Sequence, residues 1–218
     1  MAHIATLGWI HKDLAARNVL VDSGLVCKVS DFGLTRKVDP FTGIYTQTKA
    51  MKLPIKWMAP ESMRAGSQFS EKTDVWSFGV TCWEIFEYGN APYRGVKNAQ
   101  VGGFLAEGAR LQRPTTCPED VYVHVQATWE ELPGDRPRFS ALASTFTKLV
   151  EDNGGVQQCR DIGSDLTGGR ARAPSAMSAA SAAPSARGGG GDGSSAAGRD
   201  RAATLARSSR IQSSSSAP

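Results

Sequence analysis

Three residues near the amino terminus have side chains that can bind a divalent cation or accept a proton: Asp13, Asn18 and Asp31. Carboxylate and amide oxygens are hard ligands of the kind that Mg²⁺ prefers. A carboxylate at the edge of such a site can take a proton from a hydroxyl nucleophile. Arg17 adds a fixed positive charge beside Asp13. One Asp or Asn alone would indicate only a turn, whereas this ordered set indicates a reaction centre.

The elements that carry these residues are predicted to be short. Residues 1–7 are typical of the end of a helix. Three brief apolar runs, at 9–11, 18–21 and 26–29, indicate short strands around tight loops. The polar stretch 39–51, which contains proline and glycine, indicates a mobile loop.

Longer helices follow this region and must support it. The strongest prediction is 70–88, which Ser70 caps and Gly89 ends; its apolar residues lie nearly all round, so it should be buried. Three further helices are predicted at 99–107, 118–131 and 139–151. The fold class is therefore mainly α, a helical bundle with short β strands around the loop that carries Asp13.

Composition divides the chain near Asp152. Residues 1–152 contain every Trp, Tyr and Phe, and their 17 Lys and Arg balance 17 Asp and Glu. The remainder, 153–218, is rich in Gly, Ala, Ser and Arg and carries the whole net charge of +4, so it is predicted to be a disordered tail. The folded part has no basic stripe, which argues against nucleic-acid binding. No apolar run approaches the roughly 20 residues that span a bilayer, and the dispersed cysteines indicate reduced thiols.

The segments 11–18 and 31–33 resemble the catalytic loop and the metal-binding triplet of protein kinases. The resemblance implies that Asp13, Arg17 and Asn18 are catalytic, with Asp13 as the base that orients the substrate hydroxyl. It also implies that Asn18 and Asp31 hold Mg²⁺ ions bridging the phosphates of ATP.

The same resemblance assigns roles to neighbouring residues. Phe32 would pack on His11, and Leu20 would lie beneath the adenine. Gly33 would belong to the nucleotide site and let its segment change backbone conformation, since glycine tolerates unusual dihedral angles.

Further kinase motifs follow in order along residues 1–152. The segment 59–61 resembles the end of an activation segment, and Asp74 opens the buried helix, where it should bind the backbone of the catalytic loop. Arg136 should form a structural ion pair with Glu61. The resemblance thus implies the C-terminal lobe of a kinase domain.

Narrower features resemble tyrosine kinases. The segment 15–18 is similar to their catalytic loop, and 53–58, with Pro54, Lys56 and Trp57, looks like the platform that receives a tyrosine side chain. Tyr45 stands where such kinases carry an autophosphorylation site. Lys12 replaces the usual Arg, and because Lys binds phosphate only as a point charge, its response to phosphorylated Tyr45 should be weaker. The subfamily stays open.

The sequence has no Gly-rich loop and no lysine-bearing strand before the catalytic loop. We therefore expect it to be a fragment whose parent transfers phosphate from ATP to protein tyrosine in the cytoplasm or on the cytoplasmic side of a receptor. The isolated chain is expected to be inactive. The alternative is a non-catalytic interaction module that binds substrates or kinase partners.

Overall fold

The computed structural model describes residues 1–48, 51–64 and 66–154. Five α-helices occur in these residues: α1 (Ala2–Thr6), α2 (Glu71–Phe86), α3 (Asn98–Ala106), α4 (Glu119–Ala127) and α5 (Phe139–Asp152). Six short strands occur there too: β1 (Trp9–Ile10), β2 (Val19–Val21), β3 (Cys27–Val29), β4 (Arg36–Lys37), β5 (Tyr45–Thr46) and β6 (Gln68–Phe69). Apart from its first two residues, the predicted tail 153–218 lies outside the described residues.

The described strands form three antiparallel pairs and no larger sheet. β1 pairs with β4, β2 with β3, and β5 with β6. Helices therefore predominate, as the sequence predicts. Single 3-10 turns join these pieces, and three of them lie near the candidate site, at Ala16–Asn18, Phe32–Leu34 and Ile55–Trp57.

Helix α2 is the centre of the fold. Ser70 caps it, because its hydroxyl accepts the N–H of Lys72 while the Thr73 hydroxyl accepts the N–H of Ser70. Ten of its sixteen residues are buried, so the helix meets neighbours on nearly every side, as its apolar composition predicts. It ends two residues before the predicted position, since Gly89, at φ +81°, donates its N–H to the Glu84 carbonyl at 2.8 Å.

Two apolar clusters lie against α2. The larger one includes Trp76, Val80 and Trp83 from α2, which pack against α3 and α4. The second joins α2 to α5, where the ring of Phe78 meets the edges of Phe139 and Phe146, each at 5.9 Å between centroids. Burial of apolar surface contributes roughly 25 cal/mol per Å² to the free energy of unfolding. These clusters therefore stabilise the helices that support the shorter segments.

Two further predicted elements differ from the structure. Helix α4 stops at Ala127 rather than 131, because Thr128 turns both its N–H and its hydroxyl to the Val125 carbonyl. The predicted loop 39–51 contains β5, whose Tyr45 pairs with Phe69 of β6. A two-residue strand has no periodicity, and its partner lies far along the chain, so the sequence does not indicate it.

The close contact between α2 and the end of α4 can be tested at Gly79. A Cβ atom there would lie 1.9 Å from Thr128 Oγ1 and 2.7 Å from Trp129 Nε1, so Gly79→Ala should lower the free energy of unfolding by about 3 kcal/mol or more. The control is Gly103→Ala in α3, where no atom lies within 4 Å and helix propensity should give a gain of up to about 1 kcal/mol. Urea unfolding followed by tryptophan fluorescence measures both, and equal stabilities would contradict this packing.

Candidate active site

A buried carboxylate holds the loop that carries Asp13. Asp74, on α2, accepts the backbone N–H of His11 at 2.6 Å and that of Lys12 at 2.9 Å, one on each oxygen. Burial raises the pKa of Asp74 to about 6, and the two N–H donors oppose that rise. Lys12 has φ +70°, so the chain turns sharply at the residue whose N–H donates to Asp74.

His11 connects this loop to the segment before Asp31. Its ring is buried, and Nε2 lies 3.0 Å from the Ser30 carbonyl oxygen while Nδ1 accepts the N–H of Asp13 at 3.3 Å. Desolvation lowers the pKa of His11, and a neutral ring with its proton on Nε2 satisfies both contacts. The ring also meets Phe32 edge to face at 5.2 Å between centroids. His11 therefore bridges the two segments.

Asp13, Arg17 and Asn18 lie together at the turn Ala16–Asn18. Arg17 forms an ion pair with the Asp13 carboxylate, and the Asn18 amide donates to the Asp13 carbonyl at 2.7 Å. Because this bond uses the amide nitrogen, the side-chain oxygen of Asn18 is left to bind a cation. The loop thus holds a carboxylate and an amide oxygen in a fixed relation.

Asp31 is attached to the same corner through Ser30. The N–H and the hydroxyl of Ser30 both donate to the Asn18 carbonyl, at 2.8 and 3.1 Å. Asp31 itself has φ +60°, a strained value for a residue with a side chain, and its carboxylate accepts the N–H of Gly33 at 3.3 Å. The chain therefore brings Asn18 and Asp31 together, and their oxygens have the chemistry that fits Mg²⁺.

Gly33 lies close to the Asp31 carboxylate. The left-handed residue of this turn is Asp31, and Gly33 does not have positive φ. A Cβ at Gly33 would lie 3.2 Å from the Asp31 carboxylate oxygen, which is tighter than ordinary contact. The expectation that Gly33 lets its segment change backbone conformation concerns a second state and stays a prediction.

Glu84 is a buried residue of α2 that sequence reasoning missed. One of its oxygens accepts the N–H of Ala16 at 3.0 Å and the indole N–H of Trp57 at 2.7 Å. The guanidinium of Arg17 lies 4.7 Å from the Trp57 ring centroid. Glu84 thus ties the loop 11–18 to the turn Ile55–Trp57. The signal in the sequence was a carboxylate within a helix whose composition predicts burial.

The segment expected to receive a tyrosine side chain is held by hydrogen bonds to another part of the chain. Pro54 is half-buried and precedes the turn that contains Lys56 and Trp57. The Lys56 ammonium donates to the carbonyls of Pro92 and Tyr93, each at 3.0 Å. Lys56 therefore contacts its own chain and shapes the platform from below.

Glu61 and Arg136 form a two-pronged ion pair with N···O distances of 2.7 and 3.0 Å. The Arg136 side chain is fully buried and lies 4.9 Å from the Trp76 ring centroid. Its remaining N–H groups donate to backbone carbonyls, among them those of Lys72 and Glu130. A buried pair with all its donors used fixes the end of the segment 59–61 to the start of α5.

The remaining predicted site residues differ in exposure. Leu20 and Phe32 are 59% and 51% exposed, and Val21, Leu25 and Val26 nearby in the sequence are exposed too. Lys12 is buried beneath half-buried Tyr45, with its ammonium nitrogen 4.7 Å from the ring centroid. Lys12 and Tyr45 are therefore neighbours, while Leu20 faces solvent.

The described residues contain no cluster of three or more His, Cys, Asp or Glu suited to a metal ion. A cation bound by Asn18 and Asp31 would thus need further oxygens from a ligand. None of the described helices has the length and apolar character needed to cross a membrane.

Comparisons with known proteins agree on one family. A family model described as protein tyrosine and serine/threonine kinase matches residues 1–146. Ephrin type-A receptor 8 of Homo sapiens is 45% identical over 150 residues, which are 69% of this chain and 15% of that receptor. Tyrosine-protein kinase Srms of Homo sapiens is 46% identical over 142 residues, 65% of this chain and 28% of that kinase. The tyrosine-protein kinase transforming protein Abl of Abelson murine leukemia virus is 44% identical over 153 residues, 70% of this chain and 20% of that protein. The chain matches less than a third of the length of each of these three relatives.

The bracing role of Glu84 can be tested by two substitutions. Glu84→Ala removes the acceptor of two N–H groups, so it should lower the free energy of unfolding by about 2–4 kcal/mol. Glu84→Gln keeps one oxygen that can accept both bonds and loses only the charge, so its loss should be smaller, about 1 kcal/mol. Urea unfolding measures both variants, and an alanine variant as stable as the glutamine variant would contradict this role.

Proposed function

The chain belongs to the protein tyrosine kinase family, and we propose that it is the C-terminal lobe of a catalytic domain that transfers the γ-phosphoryl group of ATP to protein tyrosine. The observation that carries this proposal is the single hydrogen-bonded corner formed by Asp13, Asn18 and Asp31. Ser30 and the Asn18 backbone connect that corner, and Asp74 anchors it from α2.

In the proposed reaction Asp13 accepts the proton of the substrate tyrosine hydroxyl and orients its oxygen for attack. Arg17 keeps the Asp13 carboxylate in place through their ion pair, and its stacking on Trp57 links it to the platform. Asn18 and Asp31 would hold Mg²⁺, which would neutralise charge on the ATP phosphates. The Asp13 carbonyl, bonded to the Asn18 amide, keeps base and metal ligand in a constant relation.

The remaining half of the nucleotide site would come from residues outside this sequence. Exposed apolar side chains such as Leu20, Val21 and Phe32 support this, because exposed apolar surface of this kind marks a contact surface. Leu20 would then lie beneath the adenine. We infer that the 218-residue chain alone is inactive and only marginally stable.

The platform at Pro54, Lys56 and Trp57 would receive a tyrosine-containing segment of a protein substrate. Its internal bracing by Lys56 and Glu84 supports this, since a receiving surface must keep its shape before the substrate binds. ATP and Mg²⁺ are the proposed cofactors. The reaction and the free thiols among the described cysteines fit a cytoplasmic location, either in a cytosolic protein or on the cytoplasmic side of a receptor.

A second candidate is a non-catalytic interaction module that presents the same platform to protein partners. The observation that favours it is that every brace described for the turn Ile55–Trp57 comes from within this chain, through Glu84, Pro92 and Tyr93. That surface would therefore exist without nucleotide and without another lobe. The two candidates differ in whether phosphate is transferred.

Phosphotransfer to a tyrosine-containing polymer, with radiolabelled ATP and Mg²⁺, tests the enzyme proposal. We expect a version extended upstream to contain a Gly-rich loop and a lysine strand and to transfer phosphate, whereas the 218-residue chain should not. In the extended protein Asp13→Asn should lower kcat by roughly 10²–10⁴, because the proton acceptor is lost.

Asp152→Asn is the matched control, since this exposed carboxylate lies at the end of α5 and away from the site. Retained activity in Asp13→Asn would contradict the role of Asp13. An active extended protein would exclude the purely non-catalytic module, and an inactive one would support it.

A further inference from the structure

Lys12 lies under a cover made by a different segment of the chain. Its ammonium nitrogen donates to the Gln47 side-chain oxygen at 2.6 Å and lies 4.7 Å from the centroid of the Tyr45 ring. The Phe69 ring, on β6, approaches it from another side at 4.3 Å. Two aromatic faces and one amide oxygen therefore surround a side chain that is almost fully buried.

Residues 39–48 form this cover. A small number of backbone hydrogen bonds attach them to the rest of the described structure. Tyr45 pairs with Phe69, and the N–H of Gln47 donates to the Ser67 carbonyl at 3.0 Å. Few hydrogen bonds at the edge of a fold open at low free-energy cost. Lys12, by contrast, is fixed by the Asp74 carboxylate. Opening of the cover would therefore return water to the Lys12 ammonium while leaving its backbone in place.

The charge of Lys12 has no matching anion in this closed arrangement. Among the described residues, no carboxylate forms an ion pair with its ammonium nitrogen. Arg36 on β4 repels the ammonium, and Asp74 on α2 attracts it while spending both oxygens on backbone N–H groups. Tyr45 contributes its phenol from β5, and the nearby side chains of β6 and of residues 58–62 are uncharged apart from Glu61, which is paired with Arg136.

We propose that Lys12 makes the closure of residues 39–48 pH-sensitive, with the closed cover favoured when Lys12 is neutral and loosened when its ammonium is charged. The pH sensitivity of closure follows from burial without a counter-ion, because the hydration that the ammonium loses on closure is only partly replaced by ring faces and an amide. Any effect on catalysis would rest on the proposed function and on the resemblance that predicts a phosphorylation site at Tyr45.

The direction of the pH dependence follows from the proton affinities of the two states. Burial, and then Arg36, lower the pKa of Lys12 in the closed state from 10.5 to about 8. Between those two values the closed state binds fewer protons than an open state with solvated Lys12, so raising the pH favours closure. Below pH 8 both states are charged and this dependence levels off. The pKa of Asp74, about 6, lies below this window.

Hydrogen exchange of the 218-residue chain tests the proposal between pH 6.5 and 9.5. Protection of peptides covering residues 44–48, corrected for the intrinsic exchange rate, should rise on the order of tenfold over this range. Lys12→Met, which is neutral and of similar length, should have high protection that does not change with pH. Lys12→Arg, which stays charged, should have low protection throughout. Peptides from α2 are the internal reference for global stability.

Two controls separate other causes. Tyr45→Phe keeps the ring over Lys12 and removes the phenol, so the rise should persist, and its loss would assign the effect to Tyr45 and overturn the proposal. If Lys12→Met also lowers protection in α2, NMR titration of ¹³C-labelled Lys12 in the unmodified chain decides the question. Titration near pH 8 supports the proposal, whereas titration near the ordinary lysine value overturns it.

Flat protection in the unmodified chain would overturn the proposal, as would weaker protection of residues 44–48 in Lys12→Met, which would mean that the ammonium holds the cover closed. Neither result depends on phosphotransfer. Failure of this inference is thus distinguishable from failure of the proposed function, which rests on Asp13 and on activity in the extended protein.

Discussion

The rest of the site depends on one buried carboxylate, that of Asp74. Its two oxygens accept the N–H groups of His11 and Lys12, and this holds the backbone of the loop that carries Asp13. An ionised carboxylate in the interior is costly unless donors replace its lost water. The raised pKa of Asp74 reflects that cost, and the two N–H groups offset part of it. The most buried of the described helices thus carries the carboxylate that positions the loop of Asp13.

Helix α2 carries a second buried carboxylate that accepts N–H groups, Glu84, ten positions after Asp74. Glu84 accepts one N–H from the loop at Ala16 and one from Trp57. The distance between the proposed base and the proposed platform is therefore set by one rigid helix rather than by the flexible segments themselves. Arg17 adds a direct link, because it pairs with Asp13 and stacks on Trp57. Preorganisation of this kind is what a transfer reaction without covalent intermediates requires.

The sequence indicates those parts of the molecule whose cause is local. Helix α2 follows from its cap at Ser70 and its apolar composition, and α5 starts at the predicted residue, Phe139. What the sequence does not indicate depends on distant partners. The pairing of Tyr45 with Phe69, the bonds of Lys56 to Pro92 and Tyr93, and the double acceptor at Glu84 are all set by tertiary contacts. The family resemblance names candidate residues, but it does not say that Asp31 rather than Gly33 takes the left-handed conformation.

Three buried ionisable side chains around the loop have pKa values shifted so that the uncharged form is favoured. Burial raises the pKa of Asp74 and lowers those of His11 and Lys12, so each side chain is shifted towards its uncharged form. Such shifts cluster where water is excluded. Here they occur at the buried residues 11, 12 and 74, whereas Leu20 and Phe32 are exposed. The support of the proposed base is thus buried among the described residues, whereas the proposed nucleotide face would require a second surface to exclude water.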